Sequence, residues 1–209
     1  MYLFFRFFLS IFFHIKYNIR VLNKENIPHI KDGYIIACNH QSYTDPPMIA
    51  ANIRGKYSFM AKSELFEKKL FAWLIRRCGA FPVVRGAGDN AALERAASDI
   101  KSGRIFVIFP EGTRSKDGTI ARGKSGVTLI AGGAGAPVLP VCIMYGLDGK
   151  KRTVDFAVGK LIPPENLRVS AEDRASLKRA TNLIMDGIKQ LQNQIFAERG
   201  IVREEKRED

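Results

Sequence analysis

Cysteine is scarce in this sequence, with Cys38, Cys78 and Cys142 its only three in 209 residues. Each sits in or beside an apolar run and none has metal-ligand spacing. They read as buried, reduced thiols of a cytosolic face and exclude a disulfide scaffold. No uninterrupted stretch of the ~18–20 apolar residues needed to cross a bilayer is present, which leaves at most a short tilted span. No small-residue cleavage site follows the aromatic N-terminus, which fits a cleaved signal peptide poorly. There is no internal repeat and no low-complexity segment. Acid is also short: 21 Asp and Glu stand against 33 Lys and Arg, a net charge of +12. That balance favours an anionic partner, whether nucleic acid, an acidic lipid surface or an acidic protein. The remainder is ordinary for one globular domain, with 46% hydrophobic and 26% charged residues and enough length for a single substantial core.

Residues 1–22 hold the densest aromatic cluster. At helical pitch Arg6, Ser10, His14 and Tyr17 share a stripe, with Arg20 close by. Phe4, Phe8, Ile11, Phe12, Ile15, Ile19 and Leu22 lie opposite. This pattern predicts an interfacial helix in the bilayer surface, its basic side towards the headgroups; the alternative is a helix docked on the domain's own core. Residues 23–32 read as a polar linker, so 1–32 form a membrane-associating segment, 33–200 an α/β domain, and 201–209 a charged tail.

Within the domain, strands are expected at Tyr34–Cys38, Tyr57–Ala61, Phe81–Arg85, Arg104–Phe109, Val138–Tyr145 and Thr153–Val158. Helices alternate with them: a short one from Pro47, one capped by Ser63, one starting at Asp89, one over Val127–Ala131, and an amphipathic closing helix after Ser170 and Asp173. The alternation predicts an α/β fold, a mixed, largely parallel sheet flanked by helices, with the N-terminal interfacial membrane helix attached. Ligands of such sheets sit beyond the carboxyl ends of the strands. His40, Lys62, Arg85 and Glu111–Arg114 all fall at or just past the ends of separate expected strands, so they converge on one mouth.

Two stretches carry the chemistry. Asn39-His40-Gln41-Ser42-Tyr43-Thr44-Asp45 offers a histidine with a carboxylate five residues on, the parts of a general base and its orienting group. Asp45 before Pro46 also fits an ordinary helix N-cap. Pro110-Glu111-Gly112-Thr113-Arg114-Ser115 supplies glycine, hydroxyls and a cation at a strand end, which suits an anionic ligand. Gly118-Thr119-Ile120-Ala121-Arg122-Gly123-Lys124-Ser125 matches a P-loop by letter. However, eight polar residues separate it from the preceding strand, and no strand ends in a free Asp for magnesium, so nucleotide binding is not expected. No nucleic-acid partner is expected either, because the basic residues lie at strand ends instead of forming a stripe.

Together, the His40-x4-Asp45 and Phe109–Ser115 stretches resemble the glycerolphosphate acyltransferase superfamily, and within it the bacterial 1-acyl-sn-glycerol-3-phosphate acyltransferases. Gly79-Ala80-Phe81-Pro82-Val83-Val84-Arg85 and Ala136-Pro137-Val138-Leu139-Pro140-Val141 resemble two further blocks in the family's order. The resemblance implies acyl transfer from a thioester, acyl-CoA or acyl carrier protein, to the sn-2 hydroxyl of lysophosphatidic acid at a membrane phospholipid surface. It implies no cofactor and no metal. His40 would be the general base and Asp45 its orienting partner, without an acyl-enzyme on Ser42. Arg85, Thr113 and Arg114, assisted by Lys62, would bind the phosphate. Backbone N–H groups near Gly112 would serve the phosphate or the oxyanion. Glu111 would order the basic residues, since an acid facing a phosphate repels it. Glycerol 3-phosphate or another lysolipid as acceptor, a thioester or lipid hydrolase, and a basic binding module are the alternatives.

Overall fold

A computed structural model describes residues 2–83, 90–170 and 172–201, with the side chains of residues 2–6 left aside. The elements in chain order are α1 (Tyr2–Lys16), β1 (Asn18–Leu22), β2 (Tyr34–Cys38), α2 (Asp45–Asn52), β3 (Tyr57–Lys62), α3 (Lys69–Arg77) and β4 (Ala80–Val83). After them come α4 (Asn90–Lys101), β5 (Ile105–Ile108), α5 (Gly126–Ala134), β6 (Val138–Tyr145), β7 (Thr153–Val158) and α6 (Arg174–Glu198). Among the described residues the strands form one seven-stranded sheet in the order β1-β7-β6-β2-β5-β3-β4. β6 and β7 are antiparallel; every other neighbouring pair is parallel.

The apolar runs are continuous because the central strands bury both faces. In β2, Ile35 and Ala37 point into one core with α4, α5 and α6, while Tyr34, Ile36 and Cys38 point into the other with α1 and α2. α6 covers the first face through Leu177, Ala180, Ile184, Ile188, Leu191 and Ile195, a spacing of three to four residues that keeps one stripe inward. Asp173 caps it, accepting from the Ala175 N–H at 2.9 Å.

Three expectations are corrected. Residues 18–22 are not helical. Their alternating Ile19 and Val21 favour an extended chain, and Asn18–Leu22 pairs residue by residue with Thr153–Ala157 of β7 as an edge strand. Nor is 23–32 a free linker: Asn23 exchanges amide hydrogen bonds with Gln194, and Asn26 Nδ2 donates to the Val158 carbonyl at 3.1 Å. Ser63 caps no helix; Ser63–Phe66 is a 3-10 turn and α3 begins only at Lys69. Of the thiols, Cys38 and Cys142 are buried as expected, whereas Cys78 is half-buried.

α1 is both docked and exposed. Phe13 is buried against α2, and Ser10, expected to face headgroups, turns inward and donates to the Ala51 carbonyl at 3.1 Å. Phe7, Phe8, Ile11, Phe12 and Ile15 are exposed. The helix has 15 residues, about 22 Å of length, short of the ~30 Å hydrocarbon core. Among the described residues no helix is long and apolar enough to cross a membrane.

Candidate active site

The site is built where β2 stops. Asn39 extends the strand by proxy: its side-chain amide exchanges hydrogen bonds with the Ile143 backbone of β6 at 2.9 and 2.8 Å, wholly buried. That anchor brings the chain out of the sheet at His40. The loop 40–44 then doubles back, and its curvature comes from Asp45. One carboxylate oxygen, Oδ2, accepts from His40 Nδ1 at 2.7 Å, the Gln41 N–H at 2.7 Å and the Ser42 N–H at 2.8 Å. The other, Oδ1, accepts from the Tyr145 hydroxyl at 2.7 Å.

This arrangement settles the double reading of Asp45. It is the first residue of α2, followed by two prolines that need no N–H partner there, but its carboxylate faces back to the histidine loop instead of capping the helix. An anion at a helix N-terminus is favoured in any case. Because donors occupy both oxygens, the proton of the pair lies on His40 Nδ1, and Nε2 keeps its lone pair. The ring is stacked on Phe109, with centroids 4.0 Å apart and planes 18° from parallel. A side chain held by an orienting carboxylate and an aromatic wall has the geometry that a pre-aimed base requires.

The second stretch is tied directly to the first. Glu111 is buried, and its oxygens accept the N–H of His40 at 2.8 Å and the N–H of Ala121 at 2.8 Å. Burial pushes its carboxyl above the usual range, opposed by those two hydrogen bonds. The expectation that Glu111 orders basic side chains is therefore corrected: it braces backbone, joining the histidine loop to the segment that follows the glycine turn. The Ser115 N–H closes the ring by donating to the His40 carbonyl at 2.7 Å.

Gly112 has φ 73°, a conformation that favours glycine, and a side chain there would meet Lys124 Nζ at 2.9 Å. Its N–H is committed to the Phe109 carbonyl at 3.0 Å, so it does not serve a ligand; the N–H groups of Thr113 and Arg114 carry no hydrogen bond to the described residues. Thr113 and Arg114 are exposed, and the Arg114 guanidinium lies 3.6 Å from the ring centroid of Tyr43 in the histidine loop. Lys62 ends β3 at the same edge of the sheet, two strands from β2 and hence about 10 Å across. Arg85 lies outside the described residues, as does the end of the expected strand Phe81–Arg85. Ser42 Oγ accepts from the backbone and hydroxyl of Thr44 and makes no hydrogen bond to the histidine.

Four residues escaped the sequence reading. Tyr145 lies at the end of β6, where strand-end position was the available signal; burial and the neighbouring Asp45 push its phenol up, so it remains a donor. Asn39 and Phe109 were quoted only as motif letters. Lys124 was assigned to a helix start but reaches across Gly112. The P-loop-like run is irregular up to α5, far from the strand–turn–helix a P-loop needs. Among the described residues no group of three or more His, Cys, Asp or Glu could hold a metal ion.

Residues 18–144 match the family model described as Acyltransferase. The chain is 30% identical over 194 residues to the 1-acyl-sn-glycerol-3-phosphate acyltransferase of Bacillus subtilis, covering 90% of this chain and 94% of that one. It is 33% identical over 153 residues to the enzyme of the same name from Streptococcus pneumoniae, covering 70% of this chain and 56% of the relative. The crystal structure of the 1-acyl-sn-glycerophosphate acyltransferase of Thermotoga maritima superposes with a TM-score of 0.68 at 28% identity, over 90% of this chain and 78% of that one.

Proposed function

The chain belongs to the acyltransferase family, and we propose that it moves a fatty acyl group from an acyl thioester to the sn-2 hydroxyl of lysophosphatidic acid, giving phosphatidic acid for phospholipid synthesis. The observation that carries this reading is the 2.7 Å contact of His40 Nδ1 with a buried, fully satisfied Asp45, in a loop hydrogen-bonded to the glycine turn at Glu111 and Ser115.

His40 Nε2 takes the proton from the acceptor hydroxyl as its oxygen attacks the thioester carbonyl carbon. The C–O bond forms, the carbonyl electrons move to oxygen, and Asp45 stabilises the imidazolium. Collapse of the tetrahedral intermediate breaks the C–S bond, and the imidazolium returns its proton to the leaving sulfur. The N–H groups of Thr113 and Arg114, which donate to none of the described residues, would face either the oxyanion or the phosphate. Arg114 and Lys124 would meet the phosphate of the acceptor, with Lys62 from the end of β3 and Arg85 as the family resemblance implies. Tyr43 fixes the Arg114 guanidinium, which favours a two-oxygen grip.

Lysophosphatidic acid keeps its acyl chain in a bilayer, so the enzyme works at a phospholipid surface. The exposed aromatic face of α1 supplies the contact, lying in the interface on the cytoplasmic side, where the thioester donor is found. The test is acyl transfer from acyl-CoA and acyl carrier protein donors to lysophosphatidic acid, other lysolipids and glycerol 3-phosphate. Transfer to lysophosphatidic acid that His40→Ala abolishes supports the reading and names the donor. Transfer unchanged in His40→Ala sinks the mechanism, and release of free acid without any acceptor makes the protein a hydrolase.

A further inference from the structure

α3 is turned inside out. Leu70, Phe71, Trp73 and Leu74 are 81%, 44%, 54% and 37% exposed, and Ala72 alone in the helix is buried. A helix on a soluble domain normally packs its large apolar side chains and leaves the small ones out. An apolar cluster of this size on the surface marks a face that is covered in use. Its flanks are basic: Lys68 and Lys69 precede it, Arg76 and Arg77 close it, and no acid falls between Lys68 and Arg77. The Arg76 guanidinium lies 4.8 Å from the ring centroid of Phe66 and that of Arg77 4.8 Å from Trp73. Rings that enter a bilayer surface can in this way carry their cations to the headgroup level.

The topology sets α3 beside the α1 contact. The step from β2 over β5 to β3, and the next from β3 to β4, run the same way across the sheet. Right-handed crossovers then put α2 and α3 on one face, and the reversed step from β4 to β5 puts α4 on the other. The packing agrees for α2 and α4, which bury into opposite cores, and α1 shares the α2 side.

We propose that α3 is a second membrane-contacting helix, seating Leu70, Phe71, Trp73 and Leu74 in the interface of an anionic bilayer while its four cations meet acidic headgroups. One helix alone leaves the domain free to swing about its anchor. Two contacts on the same face of the sheet fix its orientation, and with it the approach of the His40 mouth to the lipid. A second copy of this chain is the poorer occupant, since a symmetric pairing through α3 sets like charges against like. The purpose given to α3 rests on the bilayer-borne acceptor proposed above; its test uses no substrate, so the two stand or fall separately.

Trp73 is the one tryptophan in the chain and reports on α3 directly. The full chain is mixed with vesicles of phosphatidylcholine, with and without phosphatidylglycerol, some carrying brominated acyl chains. With phosphatidylglycerol, Trp73 emission shifts to the blue and is quenched by bromine. Lys68→Gln with Lys69→Gln lowers partitioning on the order of tenfold. Leu70→Ser with Phe71→Ser, both at exposed positions and checked for fold by circular dichroism, abolishes the blue shift and the bromine quenching of Trp73. Cosedimentation with the vesicles while Trp73 stays unshifted and unquenched would overturn the proposal. So would failure to bind the vesicles, or a dimer in sedimentation that shields Trp73 without lipid.

Discussion

Asp45 and Asp155 are both wholly buried carboxylates, and the protein surrounds them in opposite ways. Asp155, in the middle of β7, is met by permanent cations: Arg20 Nε of β1 at 2.9 Å, and Arg199 just past α6 through Nε and Nη2 at 2.9–3.1 Å. Its charge is balanced at all times, and the pairing ties the edge strand and the end of the last helix to the sheet. Arg20 Nη2 is nonetheless buried without a hydrogen-bond partner among the described residues, a desolvation cost that the two-arginine arrangement carries. Asp45 is met by a hydroxyl, two N–H groups and a histidine, all of which can be neutral. Its charge is held but not balanced until His40 takes up a proton. A buried carboxylate among arginines is a fastener, and the same group beside a histidine has the geometry to orient a base.

The comparison breaks first at the site. Asp45→Asn presents a donor to His40 Nδ1 and holds the wrong tautomer, so kcat should fall by about 10⁴-fold while the melting temperature changes little by comparison. Steady-state kinetics beside a thermal melt checks this; a loss that merely follows unfolding would reduce Asp45 to a structural group. Asp155→Ala should do the reverse. Removing one partner from a buried pair costs about 3 kcal/mol here, the lower end of the usual range because both arginines keep a route to water. Denaturant titration reads that loss, and activity per folded molecule should hold.

Tyr145→Phe sharpens the difference between the two carboxylates. It takes away one of four donors to Asp45, a hydrogen bond to a charged group worth about 1.5–3 kcal/mol. The expected result is a fall of roughly ten- to a hundredfold in kcat with KM little changed, and a larger change in KM than in kcat would argue that the hydroxyl touches the substrate instead.

Asp117 gives the smallest effect and a solvent-exposed reference. Hydrogen bonds from the Thr119 N–H and the Ser115 hydroxyl hold its carboxyl down from 3.8 to about 2. A depressed folded value means that its contribution is complete above the unfolded value and is lost as pH falls from about 4 to about 2. Melting temperatures of the parent and Asp117→Asn should therefore differ slightly at pH 6 and converge towards pH 2. Divergence on acidification would contradict this.

The histidine and its aspartate were legible in the sequence because their geometry is local. A five-residue loop off a strand end can bring the two side chains together whatever the remainder of the chain does. The glycine turn was legible for the same reason. Tyr145, a hundred residues from Asp45, was not, because nothing near it in the chain distinguishes it from any aromatic at a strand end. Lys124 was hidden inside a P-loop-like string whose letters pointed elsewhere. Glu111 was read as a partner of cations when it is a brace for backbone, since sequence shows which charges are near in number, not which N–H groups lack acceptors.

Periodicity and spacing alone determined the alternating elements of the domain and the parallel character of the sheet, since each depends on neighbours a few residues apart; spacing offered the His40–Asp45 pair, and the resemblance to a family singled it out. The tertiary structure decided the rest: that residues 18–22 become an edge strand, that Ser10 turns inward while five apolar side chains of α1 stay out, and that α3 exposes its large residues. Those outcomes depend on what packs against each face, and that partner is supplied by chain far away in the sequence.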